Sequence, residues 1–282
     1  MTRTGLNDLI SLLNDRRLCL PAFDIAGGQV DFLSGVLAAC ENARSPALLL
    51  VYAPAETYGD LKTCAAVVRA LTARASLPVV LHLDHGRDEQ AVVEALAAGF
   101  DSVMFDGSDL PLDENIRRTK ALAELAHARG VAIEGEVGRI GAEQEDGLGT
   151  HALTDPDEAA RFVRETGVDV LAPAVGNAHG FYKAPPRLQF DLVERIAAAA
   201  GVPLSLHGGT GIPLEDVRRA GELGMRKMNV ATGLHKAFAD ALRQAATAEE
   251  RFSWRAGMKA ASAAVTEMAG DYLRRLGLEG LV

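Results

Sequence analysis

The feature that most constrains this chain is an eightfold alternation. Short aliphatic or β-branched runs recur at 18–24, 47–53, 78–84, 102–106, 131–137, 170–175, 203–207 and 226–230. Each is followed by an Ala-, Leu-, Glu- and Arg-rich stretch with helical spacing, near 30–43, 57–75, 87–98, 113–129, 156–166, 188–200, 213–223 and 233–246. Strands separated by helices pair in parallel, because the crossover helix returns the chain to the same end of the sheet. The near-continuous apolar character of the runs fits a sheet covered on both faces. Eight such units close into a (β/α)8 barrel, and 282 residues suit a fold that typically needs about 250. The first 17 residues and the stretch 256–276 read as further amphipathic helices. The expected architecture is one α/β TIM-barrel domain over 1–282 with an extra helix at each end. A doubly wound open sheet is the alternative, but Gly27 and Gly28 after the first run lack the spacing of its nucleotide-binding fingerprint.

Composition narrows the function classes. A net charge of -9 argues against a nucleic-acid surface, which needs concentrated basic charge. No apolar run reaches the roughly 20 residues of a membrane helix, and the charged start is not a secretory signal. Cys19, Cys40 and Cys64 lack CxxC spacing and sit in apolar surroundings, which predicts buried thiols in a reducing, cytoplasmic setting.

Barrel active sites lie at the C-terminal ends of the strands. Seven of the eight predicted strand ends carry a polar or ionisable residue: Asp24, Asp84-His85, Asp106, Glu136, Asn177 with His179, His207, and Asn229. Three imidazoles with an open fourth position are the ligand set of a catalytic zinc, so His85, His179 and His207 are the metal candidates. His82 lies two residues before Asp84 and points to the same barrel face, as a hydrogen-bonded core residue. His127 and His151 read as surface residues, and His235 stays open. The glycine-rich segments 207–213 and 229–233 close the seventh and eighth runs, where barrels commonly bind phosphate on backbone N–H groups and a helix N-terminus. The acidic, glycine-rich segment 135–149 reads as a lid that brings a carboxylate over the site.

Seven motifs span nearly the whole chain: PAFD at 21–24, LHLDHG at 81–86, GFDSVMFDGS at 99–108, EGEVGRIG at 134–141, AVGNAHGFYK at 174–183, HGGTGIP at 207–213 and KMNVAT at 227–232. In this order they resemble the class II, zinc-dependent fructose-bisphosphate and tagatose-bisphosphate aldolases. The resemblance implies zinc on His85, His179 and His207, a second or alternative metal position at Asp106 and Glu136, and Asp84 as proton donor. It implies a dihydroxyacetone phosphate site at Gly180, Gly208, Gly209, Thr210, Asn229, Val230, Ala231 and Thr232, with a monovalent cation (Na+ or K+) beside the phosphate. It aligns Glu145, through its Glu-Asp pair, with the lid carboxylate, and Glu143 is the alternative. It implies a phosphorylated sugar as substrate and a homodimer or homotetramer. Departures from the family pattern fall at Asp24 (usually Asn), Asp109 (usually basic or neutral), Thr210 (usually Ser), Gly233 (usually Glu) and a lid one residue longer. An imine on Lys183 or Lys227 is the competing route. Lys227 falls at the start of the eighth run, far from its C-terminal end.

Overall fold

The computed structural model describes residues 5–52, 60–141, 153–183, 186–248 and 253–282. Eight parallel strands close into a barrel in the order β1 to β8: β1 (Leu20–Asp24), β2 (Ala47–Tyr52), β3 (Val79–Gly86), β4 (Ser102–Phe105), β5 (Ala132–Val137), β6 (Val170–Pro173), β7 (Leu204–Leu206) and β8 (Met225–Val230). Closure runs through β1 and β8, where Ala22 pairs with Asn229. Between them lie α2 (Val30–Ala43), α3 (Leu61–Thr72), α4 (Glu89–Ala98), α5 (Leu112–His127), α6 (Pro156–Thr166), α7 (Phe190–Ala200) and α8 (Leu214–Glu222). The chain opens with α1 (Leu6–Arg16) and ends with α9 (Thr232–Ala248) and α10 (Trp254–Arg275). Both expected terminal helices are therefore present. No helix among the described residues is long and apolar enough to cross a membrane.

Local chemistry sets the helix starts. Asp60, Asp88 and Asp155 each accept a first-turn backbone N–H, from Thr63, Ala91, and Asp157 with Glu158 respectively. α1 packs at the N-terminal end of the barrel. The buried Arg226 guanidinium donates to Asn14 Oδ1 at 2.5 Å and to the Gly221 carbonyl, tying α1 to β8. The outer core is aliphatic, with Phe23, Phe32, Phe100, Phe105 and Phe162 as its large rings.

Two strands depart from the predicted bounds in ways that shape the site. β3 runs two residues past Asp84, and its pairing with β4 slips: Leu83 faces Val103, but Gly86 faces Phe105. Three steps on β3 thus match two on β4, a bulge of one residue. His85 absorbs it with φ 48°, a left-handed conformation uncommon for a side-chain-bearing residue. Neighbouring strand residues normally point to opposite faces. The bulge instead brings Asp84 and His85 to the same mouth of the barrel. Gly86 lets the strands approach there, since a Cβ would stand 2.5 Å from the Met104 carbonyl oxygen. β7 is shorter than expected, leaving His207 just beyond its last residue.

Candidate active site

The barrel mouth opens into a cavity of about 850 Å³ whose wall includes Asp84, His85, Asp106, His179, Asn229 and Thr232. His85 arrives from the β3 bulge, His179 from the loop after β6, and His207 from the end of β7. The His179 backbone N–H donates to the Gly141 carbonyl, which fixes that loop. The three rings converge. His85 Nε2 lies 3.2 Å from His179 Nε2 and 3.0 Å from His207 Nδ1.

The outward nitrogens decide what the inward ones can hold. His85 Nδ1 faces Asp106 Oδ2 at 2.7 Å, and His207 Nε2 faces Glu134 Oε1 at 2.8 Å. Each carboxylate accepts the proton of its ring, as the carboxylate partners of metal-bound histidines do. The two remaining nitrogens then face each other, and a cation between them offsets the repulsion of their lone pairs. His179 Nε2 joins them at 3.2 Å from His85 Nε2 as a third imidazole nitrogen turned to the same point. Tetrahedral zinc with bonds near 2.0–2.1 Å separates its ligand nitrogens by about 3.3 Å. The spacing and chemistry of this donor set fit such an ion.

The electrostatics agree. Burial alone would lower the His85 imidazole, but Asp84, Asp106 and Glu136 outweigh it and raise it to about 9, so positive charge is drawn to this ring. A divalent ion on Nε2 meets the same demand as a proton. Burial, with the other two rings, pushes His179 down to about 3, and burial lowers His207 as well. Both rings are therefore held neutral. Burial would raise Asp84, yet His85, His207 and Lys227 keep it below the ordinary carboxylate range. The Asn229 amide donates to Asp84 Oδ1 at 2.8 Å.

Asp106 and Glu136 form a second cluster with His85, on its Nδ1 side. Glu136 is buried and does not line the cavity. Burial and the neighbouring Asp106 push its carboxyl up to about 8. Asp106 also receives the Ser108 hydroxyl and backbone N–H.

The glycine-rich segments meet beside this cluster. Gly208 has φ 66°, and a Cβ there would stand 1.9 Å from the Ala178 carbonyl oxygen. Tyr182 Oη accepts the Ala178 N–H and donates to the Gly208 carbonyl, joining the β6 and β7 loops. Gly209 N–H donates to the Asn229 carbonyl, and Gly233 N–H to Thr210 Oγ1. α9 starts at Thr232, so the positive end of its dipole faces the cavity beside Ala231 and Thr232. Gly180, Gly208, Gly209, Thr210 and Asn229 line it too. Val230 is the exception among the expected phosphate residues. It is fully buried and does not line the cavity, because period-two alternation turns it away while Asn229 faces in.

The anionic departures are both paired. Asp24 Oδ1 accepts from the Ala26 N–H and from His235 Nε2 at 2.7 Å, and Asp109 lies 3.2 Å from the exposed Arg139. Asp24, His235, Asp109 and Arg139 all line the cavity, as do Tyr52 and Arg87, which sequence reasoning did not single out. Glu143, Glu145 and His151 lie outside the described residues. His127 is exposed and pairs with Asp169. His82 is buried, with Nδ1 2.7 Å from Ser102 Oγ. Lys183 is exposed beyond β6. The placement of Lys227 at the start of β8 needs correction. It is the third of six residues, buried in the lumen and paired with Glu134. Glu134 itself was missed. Its spacing of two from Glu136 was the available signal that it faces inward.

Comparison with known proteins gives the same reading of the whole chain. The family model "Fructose-bisphosphate aldolase class-II" matches residues 5–281. A fructose-bisphosphate aldolase of Geobacillus stearothermophilus is 43% identical over 219 residues, covering 76% of each chain. A 6-phospho-5-dehydro-2-deoxy-D-gluconate aldolase of Bacillus licheniformis is 36% identical over 284 residues, covering 99% of this chain and 97% of its own. The crystal structure of the YdjI aldolase from Escherichia coli K12 superposes with a TM-score of 0.87 at 30% identity, covering 99% of each chain. With its closed barrel and the order of its motifs, the chain belongs to the class II fructose-bisphosphate aldolase family, whose members are aldehyde-lyases.

Proposed function

We propose that the protein is a zinc-dependent aldolase that reversibly cleaves a ketose 1,6-bisphosphate, fructose or tagatose bisphosphate, to dihydroxyacetone phosphate and glyceraldehyde 3-phosphate. The observation that carries this reading is the convergence of three imidazole nitrogens within about a hydrogen-bond length, with Asp84 on the adjacent residue. A zinc ion held there supplies a Lewis acid for the ketone oxygen and for the negative charge that develops on it. Asp84 takes the proton of the C4 hydroxyl as the carbon–carbon bond breaks, and returns it in the condensation direction. Asn229 holds one oxygen of that carboxylate, leaving the other for the hydroxyl. The Gly208–Thr210 turn and the start of α9 hold the C1 phosphate. Glu145 returns a proton to the three-carbon product.

A second reading has a specific observation behind it. One relative that spans nearly the whole chain is named for a deoxygluconate phosphate, and the cavity wall carries the Asp24–His235 and Asp109–Arg139 pairs. A panel of phosphorylated ketoses, assayed for dihydroxyacetone phosphate and other three-carbon products, separates the two. The expected result is the highest kcat/KM with a ketose bisphosphate. Preferential cleavage of 6-phospho-5-dehydro-2-deoxygluconate moves the assignment to the second reading. No cleavage of any member by zinc-loaded protein ends both.

A further inference from the structure

The lumen beneath the three histidines is not apolar. Glu134 from β5, Lys227 from β8, Ser205 from β7 and His82 from β3 form a buried polar layer, with Glu134 0% and Lys227 1% exposed. Lys227 Nζ lies 2.9 Å from Glu134 Oε2 and donates to Glu134 Oε1 and Ser205 Oγ, both at 3.2 Å. Burying an ion pair is costly, and replacing one with well-packed apolar groups is often neutral or stabilising. This pair therefore calls for a role other than stability. Its position supplies one. The Glu134 Oε1 that receives the ammonium also faces His207 Nε2 at 2.8 Å.

We propose that the Lys227–Glu134 pair is a positioning device for His207: Lys227 fixes the Glu134 carboxylate, and Glu134 holds the His207 ring with its proton on Nε2 and its Nδ1 turned to His85 and His179. An ionised carboxylate can only accept, so Nε2 must donate and Nδ1 is left with the lone pair. Without this layer His207 can rotate or adopt the other tautomer, and the three-nitrogen cluster loses a donor. Ser205 anchors the ammonium from the strand that ends at His207, so the ring and its support share β7. The inference rests on the reading of the histidine cluster as a metal site.

The test is equilibrium zinc affinity of the full-length apoprotein, by competition with a chromophoric chelator, together with the visible spectrum of the cobalt(II)-loaded form. Removing the hydrogen-bond partner of a metal-bound side chain typically costs about 10- to 100-fold in metal affinity. Glu134→Ala and Lys227→Met should each weaken zinc binding at least about tenfold in this sense and alter the cobalt spectrum. Glu134→Gln keeps an acceptor for Nε2 and should stay within about threefold of the parent, well inside that range. The double variant Glu134→Ala/Lys227→Met should bind no more weakly than Glu134→Ala alone, since Lys227 acts through Glu134. Parental affinity and spectrum in both single variants, or fully additive losses in the double, overturn the proposal.

Should the uncompensated charge left by Lys227→Met prevent folding, two charge-free doubles carry the test. Glu134→Gln/Lys227→Met should bind zinc at least about tenfold more tightly than Glu134→Ala/Lys227→Met, and equal affinities overturn the proposal. If the unaltered protein binds neither zinc nor cobalt, the metal-site reading itself has failed. Binding by the unaltered protein with indifferent variants removes only the positioning role.

Discussion

At the scale of single residues, the proposed mechanism gives acid–base work to Asp84 and metal ligation to its sequence neighbour His85. Asp84 is fixed by Asn229 rather than by the imidazoles, so truncating it leaves the three ring nitrogens in place. Asp84→Ala is expected to retain zinc at the parental stoichiometry while kcat falls by about 10²–10⁴-fold, the usual worth of a positioned acid–base group. Parallel metal analysis and steady-state kinetics check this, and a near-parental rate would remove Asp84 from the mechanism. The lysines invite a complementary experiment. Lys227 is enclosed and ion-paired, so its amine is not presented to a carbonyl in the cavity. Chelation is expected to abolish turnover, and borohydride in the presence of substrate is expected to leave it intact. Covalent trapping would favour an imine. Much of this was legible in the sequence, because His85, His179 and His207 each lie at or just past a predicted strand end and strand ends meet at one mouth. The Glu134–Lys227 pairing was not. It joins residues 93 positions apart, and which strands face each other across the lumen depends on barrel closure rather than on any local pattern.

At the scale of elements, α10 shows how a helix outside the eightfold repeat is held. Its buried positions are Gly257, Ala261, Val265, Ala269 and Leu273, an unbroken i, i+4 row. The row forms a narrow ridge that packs against α2 and α9. Gly35 of α2 is a point of close approach, because a Cβ there would lie 2.6 Å from the Ser262 carbonyl oxygen and 3.0 Å from Val265 Cβ. Thr266 Oγ1 also donates to the Gly35 carbonyl. Gly35→Ala gains about 1 kcal/mol of helix propensity, but overpacking typically costs about 1–3 kcal/mol and here the clash is with backbone. A lower urea midpoint with an unchanged slope is expected, and a higher midpoint would show that α10 yields. The apolar periodicity marked α10 in the sequence. It could not mark the partner, since Gly35 carries no side chain to advertise a contact.

At the scale of the molecule, the closed sheet and its helical shell keep water from three thiols. Burial pushes the thiols of Cys19, Cys40 and Cys64 each up to about 12. The sign follows from proton counts: above about pH 9 the unfolded chain releases these protons and the folded chain keeps them. Stability contributed by the thiols is thus complete below pH 9 and lost as pH rises towards 12, by up to about 1.4 kcal/mol per unit for each. Replacing Cys40 with Ala is expected to flatten the fall in urea-unfolding stability between pH 9 and 10.5, whatever it does to the absolute level. An unchanged slope would mean that this thiol ionises in the folded protein. The barrel as a whole was readable from eight alternations, while the one-residue slip between β3 and β4 was not, because it reflects how two strands fit rather than what either contains. That slip turns the consecutive side chains of Asp84 and His85 to one mouth, on a strand clamped by β2 on one side and β4 on the other. The span between them is held largely by covalent bonds within one strand, so breathing of the barrel carries both together and leaves their relative placement nearly unaltered.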